Sequence, residues 1–338
     1  MRIKRIDVAK KAGVSEATVS YVLNKTKRVS PEVEKRVTDI AKSLGYVPNR
    51  IAQALVGNKT NTIAIITNDI GNTYQIEVIK GLQTEALKHD YIIYIFDASG
   101  DVEKYLQHII SRRTDGIFVV TAPDALSDEK LKELCDAGIK VLADYARNTY
   151  VPNVSYIMSD FNNGFEQIIK YLSTLGHTDI AYLSAFDDDC SYDFRLTAFR
   201  RAMKNILGQE NPIILCSKKP YSSTSDVGEK LFKTLIAKTK KFTAVVCTND
   251  LMALGAMRCA EELGIKVPDE VSFVGIDNIS QSENSIPSLT TLSQDGSEYG
   301  KKVFDILYSE INNGTNGKYI IPMNLVVRNS TCKSKNIL

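Results

Sequence analysis

Polar side chains gather where apolar runs end. Asn68, Asp69 and Asn72 follow the run 62–67, and Asn249 and Asp250 follow Val245-Val246-Cys247. Asp277 and Asn278 follow Val274-Gly275-Ile276, and Asp160 precedes a helix expected to start near Asn163. Amides donate and accept hydrogen bonds and carboxylates accept them, so this set suits recognition of a small polar ligand. Asn and Asp also cap helices and open turns, which accounts for any one of them alone. Their common placement at strand ends points to a ligand site. A second set lies near the amino terminus: Ser15, Glu16, Ala17 and Thr18, with Tyr21 one turn on, open a helix in a basic segment. Glu can accept from cytosine N4, Ala can touch a thymine methyl, and Tyr can reach a base edge or a phosphate.

Other chemistries lack their residues. Among 338 residues there are three histidines, His89, His108 and His177, without metal-ligand spacing or a paired nucleophile. His177 ends a helix, where a cap or dipole role suffices. The six cysteines are scattered with no CxxC, as expected of reduced thiols in a cytoplasmic protein. Asp187-Asp188-Asp189 reads as a solvated acidic loop, and Gly296 to Lys301 lacks P-loop spacing. No catalytic residue, metal or cofactor is expected. No apolar run reaches the roughly 18 residues of a membrane span, and no apolar stretch follows Met1-Arg2-Ile3-Lys4-Arg5, so neither a membrane nor an exported protein is expected.

The elements that must hold these residues differ along the chain. Residues 1–60 carry 13 Lys and Arg against 5 Asp and Glu, a net of +8, while 61–338 carry a net of −6. A basic head on an acidic body suits a polyanionic partner. Within the head, Ile6, Ala9 and Ala12 recur at helical spacing until Gly13; Ser15 then caps a helix striped by Val19, Val22 and Leu23. Ser30 and Pro31 open a third helix with Val33, Val37, Ile40, Ala41 and Leu44 on one face. Two short helices around a Gly-containing turn describe a helix-turn-helix; a plain three-helix bundle is the alternative. Pro48 prevents a helix continuous with the third one, and within the segment 47–61 the stretch Asn49 to Val56 is about two turns, too short for a stable isolated helix in water.

From residue 62 the pattern alternates. Strands are expected at 62–67, 91–96, 116–121, 140–142, 180–184, 213–216, 243–247 and 271–276, with helices such as 74–88, 163–175, 195–206, 228–238 and 251–263 between them. Such alternation implies parallel sheets covered on both faces, with ligands bound beyond the carboxyl ends of strands.

The runs Ile6 to Ser15 and Ala17 to Asn24 resemble the start of the lactose/galactose-repressor family of transcription regulators, as do Leu44 to Asn49 and Ile51 to Leu55. Leu175 to Ala181, Arg195 to Phe199, Thr248 to Gly255, Val274 to Asn278 and Pro287 to Thr291 extend the resemblance to about residue 331. The chain departs from the family at Tyr21, where Arg is common, at Ala198, where Gly is usual, and at Gln75, where the second aromatic of an NPFF segment would stand. The resemblance implies an all-α helix-turn-helix head (1–46), a hinge (47–61), an α/β periplasmic-binding-protein-like body of two doubly wound parallel-sheet subdomains (62–331) and a tail (332–338). It also implies that Leu55, with Ala52 beside it, wedges into the minor groove from each subunit of a homodimer on a palindromic operator with a central CG step. Asn24 closes the motif and joins the DNA-contacting set. In sugar-responsive members the residues matching Arg195, Asn249 and Asp277 bind hydroxyls; Asn72 and Asp160 join them here, and Tyr74, Phe161 and Tyr221 are the candidate ring-covering aromatics.

The expectation is a repressor of carbohydrate-utilisation genes released by a small sugar. The alternatives are the same architecture activated by a corepressor, either a purine or a phosphorylated carrier protein, and, from another class, a sugar-binding transport protein. Residues 332–338 show no heptad repeat that would build a tetramer.

Overall fold

The computed structural model describes residues 3–24, 27–47, 59–120, 126–144, 150–187, 193–217 and 223–335. Ala52, Leu55 and Tyr221 lie outside the described residues, as does the side chain of Asn24. The chain divides into two units, 1–61 with 111–115 and 62–110 with 116–338.

Among the described residues, the smaller unit holds three helices, α1 (Arg5–Ala12), α2 (Glu16–Asn24) and α3 (Pro31–Ser43). Each start has a local cause. The Lys4 N–H donates to the Asp7 carboxylate, Ser15 Oγ accepts from Thr18 N, and Ser30 Oγ accepts from Val33 N with Pro31 at the first helical position. Gly13, at φ 66°, ends α1 in a left-handed conformation that costs glycine nothing. Val8, Ala9, Ala12, Val19, Val22, Val37 and Ala41 form the core. The stripe expected on α1 is corrected in one place. Ile6 is 41% exposed and Val8 takes the interior, because Val8, Ala9 and Ala12 share the face turned toward α2 and α3.

The larger unit contains two six-stranded sheets. The first has the order β11-β5-β4-β3-β1-β2, from β1 (Thr62–Thr67), β2 (Ile92–Asp97), β3 (Gly116–Val120), β4 (Lys140–Asp144), β5 (Val154–Ser159) and β11 (Lys318–Ile321), all parallel. The second has the order β12-β10-β9-β8-β6-β7, from β6 (Ile180–Ser184), β7 (Ile213–Cys216), β8 (Ala244–Cys247), β9 (Ser272–Asp277), β10 (Thr290–Ser293) and β12 (Asn324–Val326). Only β12 runs antiparallel to its neighbour. All eight expected strands form, β1, β6 and β7 with the expected bounds and the others with ends moved by one or two residues. The sequence reading did not anticipate β5, β10, β11 and β12. β5 carries buried Ser155 and Ser159 among its apolar residues, and three of the four residues of β10 are threonine or serine, so neither shows a plain apolar run.

These overlooked strands carry the connections between the sheets. The chain leaves β5 through α7 (Phe161–Thr174), returns from β10 through α12 (Gly296–Asn313), and passes from β11 to β12. The remaining helices are α4 (Thr73–Lys88), α5 (Val102–Ser111), α6 (Asp128–Asp136), α8 (Phe194–Leu207), α9 (Ser225–Lys238), α10 (Asp250–Glu262) and the short α11 (Ser280–Asn284). Apolar clusters line both faces of each sheet. At the α9–α10 contact a methyl group on Gly228 would overlap the Met252 carbonyl, and one on Gly255 would overlap the Ser225 carbonyl. The two glycines let the helix backbones meet. No helix among the described residues is long and apolar enough to cross a membrane.

Candidate functional site

Within the larger unit, a cavity of about 240 Å³ opens beyond the carboxyl ends of strands from both sheets. The first sheet brings Thr67 from β1, Asp144 from β4 and Ser159 from β5; the second brings Thr248 just beyond β8 and Asp277 from β9. Helix starts complete the lining with Asn72, Tyr74, Phe161, Asp193, Arg195 and Asn249. This is the position at which open α/β sheets bind their ligands.

Arg195 is central to the wall. Its Nη1 donates to the Thr248 carbonyl at 2.7 Å, its Nη2 stands 3.5 Å from Asp277 Oδ1, and its guanidinium lies 5.0 Å from the Phe161 ring centre. Burial is the largest single influence and works against its charge, but Asp277 together with Tyr182, Asp193 and Tyr74 outweighs it, and the net effect raises its pKa. Burial pushes Asp277 up to about 7, against the pull of Arg195 and with the Asp250 charge adding to the rise. Burial likewise raises Asp193, although Leu196 N and Ser184 Oγ both donate to its carboxylate.

Three polar atoms on this wall are buried without a hydrogen-bond partner among the described residues: Tyr74 Oη, Ser159 Oγ and Asp277 Oδ1. Buried polar atoms are nearly always paired, so three orphans on one cavity mark groups shaped for something that enters it. Asp277 also holds a rare backbone conformation, φ 111°, and Asn278 follows at 56°. The turn is fixed from outside the cavity. Asn278 Oδ1 accepts from Arg328 at 2.7 Å, and Asn278 N donates to Thr291 Oγ1 at 3.3 Å. Such strain persists only where surroundings impose it, and it clusters at functional sites.

The residues singled out from sequence divide on inspection. Asn72, Tyr74, Phe161, Arg195, Asn249 and Asp277 come together on the cavity. Two of them also cap helices: Asn72 Oδ1 accepts from Tyr74 N and Gln75 N, and Asn249 Oδ1 accepts from Met252 N while its Nδ2 donates to the Ser223 carbonyl. Asp160 is not brought to the cavity lining; its carboxylate caps α7 by accepting from Asn163 N. Asp250, buried behind the wall, is held by Ser282 Oγ, Thr291 Oγ1 and Ile279 N. The sequence reading missed Asp144, Ser159, Asp193, Thr248 and Gln294. Asp193 carried a signal, an acid three residues before Leu196 at a helix start, whereas Ser159 belongs to an overlooked strand. His177 is no helix cap: buried, it bonds Thr243 Oγ1 and the Cys332 carbonyl, with its pKa lowered by burial.

In the head, Ser15 and Ala17 are exposed at the start of α2, with Thr18 and Tyr21 half-buried. Ser15 Oγ and Thr18 Oγ1 share a 2.9 Å hydrogen bond, Arg5 Nε donates to Glu16 at 3.2 Å across α1 and α2, and Lys27 Nζ lies 4.9 Å from the Tyr21 ring centre. The first turn of α2 thus presents small polar groups, and the described part of the head also exposes the cations Lys4, Lys10, Lys11, Lys27 and Arg28.

Comparison with known proteins agrees along the chain. Residues 6–49 match the profile of bacterial regulatory proteins of the lacI family, and 169–331 match the periplasmic binding protein-like domain. An HTH-type transcriptional repressor PurR of Vibrio parahaemolyticus is 34% identical over 336 residues, covering 97% of this chain and 98% of the relative. The PurR repressor of Vibrio campbellii is 33% identical over 337 residues, with the same coverage. Among solved structures, the lac repressor dimer bound to operator and the anti-inducer ONPF superposes with a TM-score of 0.82 at 25% identity, covering 98% of this chain and all of that one.

Proposed function

The chain belongs to the lacI family of bacterial regulatory proteins and is a DNA-binding transcriptional repressor, and from that premise we propose that a small sugar in the cavity of the larger unit sets its affinity for a palindromic operator. The three unpartnered oxygens on the cavity wall carry this reading. A polyol supplies hydroxyls that donate to Asp277 and exchange hydrogen bonds with Tyr74 and Ser159, and the Phe161 and Phe186 rings offer apolar faces to the sugar ring. The volume lies below the ~300–1,000 Å³ of pockets for larger ligands, which suits a single ring.

The protein acts as a homodimer whose two heads read matching half-sites. Ser15, Glu16, Ala17, Thr18 and Tyr21 meet the major groove, and Leu55 and Ala52 of the hinge enter the minor groove. Ligand binding favours one arrangement of the body over another, and DNA affinity changes by the difference in ligand affinity between them.

A second reading has a specific observation behind it. The whole-length relatives carry the name PurR, and a purine corepressor would fill the same cavity while tightening DNA binding. Selection of the full-length protein on random duplex DNA at physiological salt recovers the operator. Titrating that complex with monosaccharides and with purine bases separates the readings: release by a sugar supports the first, tightening by a base the second, and no response to either counts against both.

A further inference from the structure

One carboxylate holds the last two residues before β1. Asp115 Oδ1 accepts from Thr60 N at 2.8 Å and from Thr60 Oγ1 at 2.9 Å, and Asp115 Oδ2 accepts from Asn61 N at 2.9 Å. The Thr60 hydroxyl also lies 3.0 Å from the Arg113 carbonyl, a second acceptor for its one proton. Hydrogen bonds to a carboxylate are charge-assisted, and two oxygens on consecutive backbone N–H groups leave that stretch of chain little freedom to turn. The backbone on both sides is unusual. Asn61 and Arg113 each hold φ 52°, a left-handed conformation uncommon for residues other than glycine and kept where surroundings impose it. Residues 111–115 group with 1–61 in the smaller unit. Asp115 directly precedes Gly116, the first residue of β3, and Asn61 directly precedes Thr62, the first residue of β1.

Resting on the homodimer reading above, we propose that Asp115 is a positioning residue for DNA binding. By fixing residues 60 and 61 it sets the length of chain over which each head can reach, and so the spacing of half-sites that the dimer accepts. Asp115 touches no DNA in this role; it acts through Thr60 and Asn61. The lengths involved are comparable. Releasing two residues adds up to ~7 Å of reach in each subunit, while one base-pair step of duplex is ~3.4 Å. The gain is enough to blur discrimination between neighbouring spacings. Released residues also lower the effective concentration of the second head once the first is bound.

The test uses the full-length protein and three duplexes built on the operator recovered by selection. They are the palindrome, the palindrome with one base pair added on each side of its central step, and a single half-site, all at the same salt. The parent is expected to lose at least about ten-fold in affinity on respacing. Asp115→Ala is expected to bind the palindrome about ten-fold more weakly, to lose no more than about three-fold further on respacing, and to match the parent on the half-site within about two-fold. Thr60→Val removes one donor, leaves both backbone donors and is expected to relax the spacing in part, so it serves if Asp115→Ala fails to fold. Asp115→Asn keeps one acceptor oxygen and is expected to fall between Asp115→Ala and the parent. Variants whose respacing penalty equals the parent's overturn the proposal. So does equal weakening on all three duplexes, the mark of a head that has only lost stability. A parent that binds the palindrome no more tightly than the half-site overturns the homodimer reading and this role with it, and leaves the DNA-binding repressor standing.

Discussion

Arg195 Nη2 stands 3.5 Å from Asp277 Oδ1, near enough for attraction but beyond an ordinary hydrogen bond. The guanidinium cannot close that gap freely, because its other nitrogen is bonded to the Thr248 carbonyl at 2.7 Å. Asp277 cannot move toward it freely either, since its backbone is fixed between β9 and the Asn278 turn that Arg328, Thr291 and Ser293 hold. The wall therefore presents a long ion pair whose carboxylate oxygen, Asp277 Oδ1, has no hydrogen-bond partner among the described residues. A ligand donor placed there completes a charge-assisted hydrogen bond in a buried site, where such bonds are strongest.

Ligand affinity should depend on pH with a definite sign. Burial holds Asp277 at about 7 in the empty site, and a donor ligand favours its ionised form. Affinity should rise about ten-fold between pH 6 and pH 8 and level off above that. Calorimetric titration at several pH values checks this, and Asp277→Asn should flatten the dependence.

Folding stability should move the other way. Burial raises Asp277 to about 7 and Asp250 to about 6, both above the usual aspartate value. The unfolded chain gives up these protons first as pH rises, so the stability these groups contribute is full below about pH 4 and is lost as pH climbs through 6 and 7. In urea unfolding of the ligand-free protein, Asp277→Asn should gain stability relative to the parent on going from pH 5 to pH 8.

The α9–α10 contact should tolerate no side chain. A methyl group on Gly255 overlaps the Ser225 carbonyl, which belongs to backbone and cannot rotate aside. Gly255→Ala should destabilise the protein by about 1–3 kcal/mol, measured as a fall in unfolding midpoint.

The start of α2 should be sensitive to a single oxygen. Ser15 Oγ accepts from Thr18 N at 3.1 Å and is hydrogen-bonded to Thr18 Oγ1. Ser15→Ala removes the cap and should cost about 1 kcal/mol of stability. By contrast, Glu16→Ala breaks an ion pair that is about half exposed and should change stability by less than about 1 kcal/mol while altering base preference in DNA selection.

Much of this was legible in the chain before folding. The three head helices announced themselves through Ser30-Pro31, Gly13 and the apolar stripes, because caps and periodicity are local. β1, β3 and β8 showed as continuous apolar runs, because a strand covered on both faces has no polar side to alternate. The acids and amides after β1, β8 and β9 drew attention by position, and most of them do meet on the cavity. Asp160 did not, because a helix start and a cavity wall make the same local demand on an aspartate, and only the fold decides between them. β11 was hidden for another reason: its exposure alternates at the edge of a sheet it joins from far along the chain. Ser159, Asp144 and Thr248 acquire their role only when two sheets face each other, and no local pattern encodes that meeting.

The central claim is that the wall around Asp277 controls DNA binding. The direct measurement is operator affinity of the full-length protein across a titration with the effector, for the parent and for Asp277→Asn. The account predicts that both bind the operator with similar affinity when ligand-free, that effector shifts the parent by at least ten-fold, and that the variant responds only at far higher concentrations. A variant that responds like the parent would contradict it.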